Sequence, residues 1–297
     1  MMDVGQLAGL TEAVNAEFAQ ALQVTGPDAE GTFADWHELS SVVAALATAT
    51  RVKVIGISGS QGSGKSTLAR VLADTLNQQC ADVEQAATCS IDDFYLSKDA
   101  RAALARDIHP LLQTRGVPGT HEWQLLGDVL ARVQAGERFL ELPRFDKGRD
   151  DRARPVSCET DMLILEGWCL GVSAQPDSLL AQPVNALEAT EDADGVWRTW
   201  VNEQIALHYE PLWSQVDLWI HLRVPGFDQV TQWRGQQEQQ LHEDQRMSSA
   251  QITRFIAHYE RLTRWMWQQS AWGPGFVVQL DAHHEIAGVT VKNAKLI

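Results

Sequence analysis

Val52-Lys-Val-Ile-Gly-Ile-Ser58, followed directly by Gly59-Ser-Gln-Gly-Ser-Gly-Lys-Ser-Thr67, is the stretch on which the reading of this chain turns. Val52, Val54, Ile55 and Ile57 form a short β-rich apolar run of the kind buried in a parallel sheet. Residues 66–80 then carry apolar side chains at helical spacing, Leu68, Val71, Leu72 and Leu76. Strand, glycine-rich loop and helix together are the context that a phosphate-binding loop requires. Glycines at 59, 62 and 64 let backbone N–H groups turn inward toward phosphate oxygens at the positive end of the helix. The expected nucleotide-binding segment is therefore Gly59, Ser60, Gln61, Gly62, Ser63, Gly64, Lys65, Ser66 and Thr67. Lys65 is expected to reach the β- and γ-phosphates of ATP, and Ser66 to ligate Mg²⁺. The plainer alternative is a glycine-rich turn that caps an ordinary helix.

Composition narrows the function classes. At 297 residues and 44% hydrophobic content the chain can bury a substantial core, as one large α/β domain or two smaller ones. The formal net charge of -15, from 39 acidic and 24 basic residues, argues against nucleic acid or an anionic membrane as a partner. An anionic substrate must then meet a local basic cluster. Cys80, Cys89, Cys158 and Cys169 lie too far apart for a C-x-x-C pair, so reduced thiols and a cytoplasmic setting are expected. Residues 1–10, acidic and without a sustained apolar run, are not expected to act as a signal peptide, and no apolar run approaches the roughly 18 residues of a membrane span.

In chain order, periodicity predicts helices over 3–24 and 34–48, broken at Gly26-Pro27, as an N-terminal helical layer over 1–50 continuous with a main domain over 51–297. A second strand over 86–91 runs into Ser90-Ile-Asp-Asp-Phe-Tyr95. In open α/β sheets ligands lie beyond the carboxyl ends of strands, which places Asp92 and Asp93 near the phosphate loop. There a carboxylate either takes the proton of an attacking hydroxyl or merely caps the next turn. After a helix over 97–107, Arg115 and His121 bracket a loop shaped by Gly and Pro; Arg115 and His121 bind an anionic substrate, or Thr120 and His121 merely start the helix that follows, which runs through Val133. Residues 143–155 hold five of the 24 basic residues, read as an anion-attracting loop or a solvated, salt-bridged one. Residues 162–167 form a third strand whose terminal Glu166 is placed to hold Mg²⁺ directly or through water. Asp192 to Gly195 fits D-x-x-G by accident, and with no Asn-Lys-x-Asp motif a GTPase is disfavoured. A Trp-rich helix to about 213 and a fourth strand over 216–224 come next. Then follow a polar helix over 227–241, unlikely to be core and suited to a lid, an amphipathic helix over 248–268, and a last strand over 276–280.

Seven segments together resemble the bacterial D-glycerate 3-kinases of the P-loop kinase superfamily, related to uridine kinases, phosphoribulokinases and pantothenate kinases. They are residues 59–66, Ser-Ile-Asp-Asp-Phe-Tyr at 90–95, Arg-Gly-Val-Pro-Gly-Thr-His at 115–121, and Pro-Arg-Phe-Asp-Lys at 143–147. Leu-Glu-Gly-Trp at 165–168, Val-Asn-Ala-Leu-Glu at 184–188 and Trp-Arg-Gly-Gln-Gln-Glu at 233–238 complete the set. The first is generic to P-loop proteins; the others are specific in combination. The resemblance implies a three-layer α/β fold, a mostly parallel sheet with helices on both faces and a helical lid. It implies transfer from ATP, with Mg²⁺, to a hydroxyl of a small anionic hydroxy acid, D-glycerate to 3-phosphoglycerate. By motif position Asp92 is the base and Arg234 the lid arginine, beside Lys65 as the third catalytic group. Arg115, His121, Arg144, Asp146 and Lys147 fall in substrate-side segments, and Ser66 and Glu166 in the metal-side ones. Gly235 departs from the family's usual Leu, which predicts a looser or broken lid helix. A kinase for a nucleoside or pantothenate-like acceptor, and a non-catalytic nucleotide-dependent regulator or chaperone, are the competing readings.

Overall fold

A strand that is apolar on both faces needs cover on both, and the run ending at Gly59 receives it. The computed structural model describes residues 22–24, 29–31, 33–79, 85–239, 246–269 and 273–292. Its strands are β1 (Leu22–Val24), β2 (Ala29–Gly31), β3 (Val54–Gly59), β4 (Ala86–Ser90), β5 (Phe139–Asp146), β6 (Asp151–Glu159), β7 (Met162–Gly167), β8 (Leu218–Arg223), β9 (Gly275–Leu280) and β10 (Ile286–Lys292). The helices are α1 (Trp36–Ala49), α2 (Lys65–Gln79), α3 (Lys98–Asp107), α4 (Trp123–Gln134), α5 (Asp177–Leu180), α6 (Ala186–Glu191), α7 (Val196–Gln204), α8 (Glu210–Trp213), α9 (Phe227–Gln239) and α10 (Ser249–Gln268).

Eight strands form one sheet in the order β1-β2-β10-β9-β8-β3-β7-β4. The stretch from β9 to β4 is parallel throughout, and β10, β2 and β1 extend it antiparallel. Alternate residues of a strand face opposite sides. Ile55 and Ile57 of β3, Met162 and Ile164 of β7, and Ile220 and Leu222 of β8 therefore pack in one core with α1, α2 and α9. Val54, Leu163, Leu165 and Trp219 face the other, with α4, α7 and α8. Helix α10 contributes to both, Ile252 and Ile256 to the first and Tyr259 and Leu262 to the second. The chain winds from β3 to β4 and β7 on one side and to β8 and β9 on the other, so its order reverses beside β3. A crevice opens at such a reversal.

The expected three-layer α/β architecture is present, with four local corrections. Leu22–Val24, expected at the end of a helix, is an edge strand paired with β2; residues 3–21 lie outside the described residues. Three residues are too few for periodicity to separate strand from helix. Residues 143–155, read as a loop, belong to a two-stranded antiparallel hairpin of β5 and β6. Leu140 and Leu142 bury alternately, but Pro143 and the density of charge obscure the period; the pairing shifts register between Leu142 and Arg144. Helix α9 is not a polar strap: Phe227, Val230 and Trp233 are buried, at helical spacing, among its glutamines, and the helix continues unbroken through Gly235. Finally, β9 is not the last strand, since β10 pairs with it.

Cys89 and Cys169 are buried and Cys158 is half-buried, all three as free thiols, while Cys80 lies outside the described residues. Among the described residues no helix is long and apolar enough to cross a membrane.

The Val-Asn-Ala-Leu-Glu segment has a structural part in this fold. Glu188, fully buried, pairs with Arg261 of α10 at 2.6 Å, and Arg261 is 5% exposed. The other three guanidinium hydrogens go to the carbonyls of Leu179 and Gln182 at 2.8 and 2.7 Å and to Gln175 Oε1 at 3.4 Å. Glu188 Oε2 also accepts the Val184 N–H at 3.0 Å. Asn185 caps α6 on the Glu188 N–H and reaches the Ala257 carbonyl. Breaking a buried pair from one side leaves an uncompensated charge, so Glu188→Ala is expected to lower the unfolding free energy by about 3–5 kcal/mol. The double change Glu188→Leu with Arg261→Met should recover most of that loss; urea denaturation of both variants checks it.

Candidate active site

The phosphate loop sits at the end of β3 and feeds α2, which begins at Lys65. Lys65 Nζ donates to the Ser60 carbonyl at 2.8 Å, and the Ser63 N–H points to the same oxygen at 3.3 Å. Gly62 has φ +80°, a conformation in which a side chain would also meet Trp233 Cβ at 2.8 Å, so only glycine fits. Burial pulls the Lys65 ammonium below its ordinary range, opposed by the charges of Glu166 and Asp92.

Glu166, on the neighbouring strand β7, accepts the Ser66 hydroxyl at 3.0 Å. A hydroxyl beside one carboxylate suits Mg²⁺, which takes few protein ligands and completes its shell with water and phosphate oxygens. Among the described residues no cluster of three or more His, Cys, Asp or Glu side chains offers an all-protein site. Ser63 Oγ and Arg234 Nε are buried without hydrogen-bond partners, and both can donate to a phosphate. The residues present therefore fit a magnesium-bound nucleotide.

Beyond β4 the chain makes a single 3₁₀ turn, Ile91–Phe94, capped by Ser90 Oγ on the Asp92 N–H at 3.3 Å. This turn separates the two adjacent aspartates. Asp93 faces the hairpin, where it accepts from Arg144 Nη1 at 3.1 Å and from the Phe145 N–H at 3.3 Å. Asp92 lines the cleft with Lys65, Ser66 and Glu166. It accepts from Lys147 Nζ at 2.6 Å and from the Tyr95 hydroxyl at 2.7 Å. Burial works to raise its carboxyl, but Lys147 and the Tyr95 hydrogen bond outweigh it and hold the group below the usual carboxylate range. Asp92 is thus ionised at neutral pH.

The expected substrate residues divide. Arg115 and Lys147 line the cleft. Arg115 is held by an ion pair with Asp150 and lies 5.4 Å from the Phe145 ring, and its carbonyl accepts the Tyr259 hydroxyl at 3.2 Å. Arg144 turns away to hold Asp93. Asp146 accepts the N–H groups of Gly148 and Arg149 at 2.9 and 3.0 Å, which makes it a turn former in the hairpin and not a cleft residue. His121 is 2% exposed behind Tyr95, whose ring it stacks on at 4.7 Å. Tyr209, from the π-helical turn Ile205–Tyr209, accepts the Gly119 N–H at 2.9 Å and shares a hydrogen bond with His121 Nδ1 at 2.8 Å. Burial lowers His121 to about 4, so it is a neutral support for Tyr95 and the loop over 115–121.

Arg234 also reaches the cleft, beside Gln237. It pairs with Glu238, one turn along α9, and lies 5.3 Å from the Phe255 ring. An i+4 partner and a place at the phosphate site therefore coexist in this one arginine. Sequence reasoning missed Tyr95, Trp168, Phe255 and Tyr259 as cleft residues. Tyr95 and Trp168 stand within the quoted motifs, and Tyr259 lies in the amphipathic helix over 248–268, where a hydroxyl on the inward face signals a polar partner. The cleft encloses about 260 Å³.

Residues 54–182 match the Phosphoribulokinase / Uridine kinase family. An uncharacterized kinase of Schizosaccharomyces pombe is 33% identical over 223 residues, covering 69% of this chain and 78% of that protein. The chloroplastic D-glycerate 3-kinase of Arabidopsis thaliana is 29% identical over 222 residues, 69% of this chain but 46% of that protein, so the chain spans less than half of its length. The solved structure of D-glycerate 3-kinase from Cryptococcus neoformans shares the fold, with TM-score 0.67 at 24% identity over 97% of this chain and 98% of that one. The phosphate loop, the parallel sheet and these relatives agree: this chain belongs to the phosphoribulokinase / uridine kinase family of P-loop kinases and is an ATP-dependent phosphotransferase.

Proposed function

We propose that the chain phosphorylates a hydroxyl of a small anionic hydroxy acid, D-glycerate to 3-phosphoglycerate, using ATP and Mg²⁺. The observation that carries this is the ionised Asp92 facing the phosphate loop, with the two cations Arg115 and Lys147 in the same cleft. The D-glycerate 3-kinase among the similar proteins supports the choice of acid.

In this reading the acceptor's carboxylate draws Lys147 away from Asp92 and pairs with it and Arg115. Asp92, freed of its lysine, accepts the hydroxyl proton while the hydroxyl oxygen bonds to the γ-phosphorus. The bond from that phosphorus to the β–γ bridging oxygen breaks, and ADP leaves. Lys65 and Arg234 meet the charge that develops on the transferring group, and Trp168 and Tyr259 wall the cleft. Ser66 and Glu166 would hold Mg²⁺, which when bound neutralises charge on the phosphate oxygens. A carboxylate base beside the phosphate loop favours an enzyme over a nucleotide-switched regulator.

Asp92→Asn is expected to lower kcat by roughly 10²- to 10⁴-fold with little change in ATP affinity. Asp93→Asn should leave kcat within about twofold and act on stability, because its partners are in the hairpin. Steady-state kinetics of the two variants side by side separate these outcomes; a crippled Asp93 variant beside an active Asp92 variant would reverse the assignment. The carboxylate requirement is tested with glycerol, which has the hydroxyls but not the acid. Its kcat/KM should fall at least about 10²-fold below that of D-glycerate, because without an acceptor carboxylate Lys147 stays paired with Asp92; equal values would remove the case for a carboxylate site.

A further inference from the structure

The carbonyl of Gly62 in the phosphate loop accepts a hydrogen bond from Nε2 of His284 at 2.9 Å, across 222 residues of sequence. A carbonyl only accepts, so Nε2 carries the ring proton. A peptide unit is planar and trans, and its C=O and N–H point in opposite directions. With the Gly62 carbonyl held outward to His284, the N–H of Ser63 in the same unit is directed into the loop, toward the Ser60 carbonyl that also receives Lys65 Nζ.

His284 is itself well held. Its ring stacks on Trp233 with centroids 3.8 Å apart and planes 23° from parallel. Trp233 is 1% exposed, and its Nε1 donates to the Ala282 carbonyl at 3.3 Å. Asp281 closes the turn between β9 and β10 by accepting the N–H groups of His283 and Glu285 at 2.8 and 2.9 Å. The backbone of His284 is left-handed, φ 67°, which histidine tolerates better than most residues. Trp233 precedes Arg234, so the phosphate loop, the β9–β10 turn and the helix that carries Arg234 meet at one point. Both His284 and Trp233 lie outside residues 54–182 that match the family.

We infer that His284 is a positioning residue for the nucleotide: it fixes the Gly62–Ser63 peptide with its N–H turned into the loop toward the Ser60 carbonyl, which holds the loop in its phosphate-binding shape, and through Trp233 it ties that peptide to the helix bearing Arg234. This rests on the reading of residues 59–67 as the nucleotide loop. Without the lock the peptide keeps only the long Ser63 N–H to Ser60 bond at 3.3 Å, and binding must then offset the wider range of loop shapes.

The test uses the full-length chain and two substitutions. His284→Gly removes the ring and suits the left-handed backbone, so the turn is not strained. His284→Phe keeps a ring to stack on Trp233 but has no donor. The dissociation constant for MgATP by calorimetry, and the ATP KM and kcat with D-glycerate, are measured for wild type and both variants. Both variants should bind MgATP about tenfold more weakly, with a matching rise in KM and kcat changed less than about threefold, as expected for the loss of one hydrogen bond that orders the site. Affinity within twofold of wild type in either variant, or a fall in kcat with unchanged KM, would overturn the inference while leaving the loop assignment standing. A wild-type chain that does not bind MgATP would overturn the loop assignment, and the inference with it.

Discussion

The register of three parallel strands is the constraint on which the site depends. Pairing of β4 with β7 and of β7 with β3 sets Ser90 opposite Glu166 and Glu166 opposite Ile57. The three strands therefore end at one level, and the phosphate loop, the Glu166 carboxylate and the turn that carries Asp92 open onto a common crevice. A slip of one residue in β7 would turn Glu166 to the opposite face and put an apolar neighbour beside Ser66. The register is held by burial on both faces, where Leu163 and Leu165 enter one core and Met162 and Ile164 the other.

Parts of this arrangement were legible because they are local. The strand–loop–helix at 54–79, the aspartates at the end of β4 and the glutamate at the end of β7 each show in a window of about a dozen residues. What could not be read depends on partners far away. Nothing near Asp93 announces that Arg144, 51 residues on, will claim it and leave Asp92 to the cleft. His284 meets Gly62 across the whole domain, and α9 hides its buried stripe among glutamines. The hairpin of β5 and β6 was obscured by charges that proved to be internal partners.

Those charges show how a strongly acidic chain uses its few cations. Arg101 is 1% exposed and donates to the carbonyls of Leu96, Gln113 and Asp150 as well as to the Asp150 carboxylate at 3.0 Å. Asp150 in turn pairs with Arg115. The hairpin tip is thereby fixed to α3 and to the loop over 115–121, which is what puts Lys147 within 2.6 Å of Asp92. Arg144, Arg198 and Arg261 are likewise occupied with neighbouring carboxylates and carbonyls. A motif arginine is therefore not by itself a substrate contact. Of the five residues assigned to the acceptor from sequence, the two that remain at the cleft are the ones the hairpin and its tether deliver there.

The central claim is that this cleft transfers a phosphoryl group from ATP to a small carboxylate-bearing alcohol. The most direct measurement is ADP release by the purified chain with MgATP over a panel of small hydroxy acids, nucleosides and pantothenate, with the phosphorylated product identified by ³¹P NMR. The proposed function predicts the highest kcat/KM for D-glycerate and a phosphomonoester at its terminal carbon. Preference for a nucleoside or for pantothenate, or ADP release that no acceptor stimulates, would contradict it.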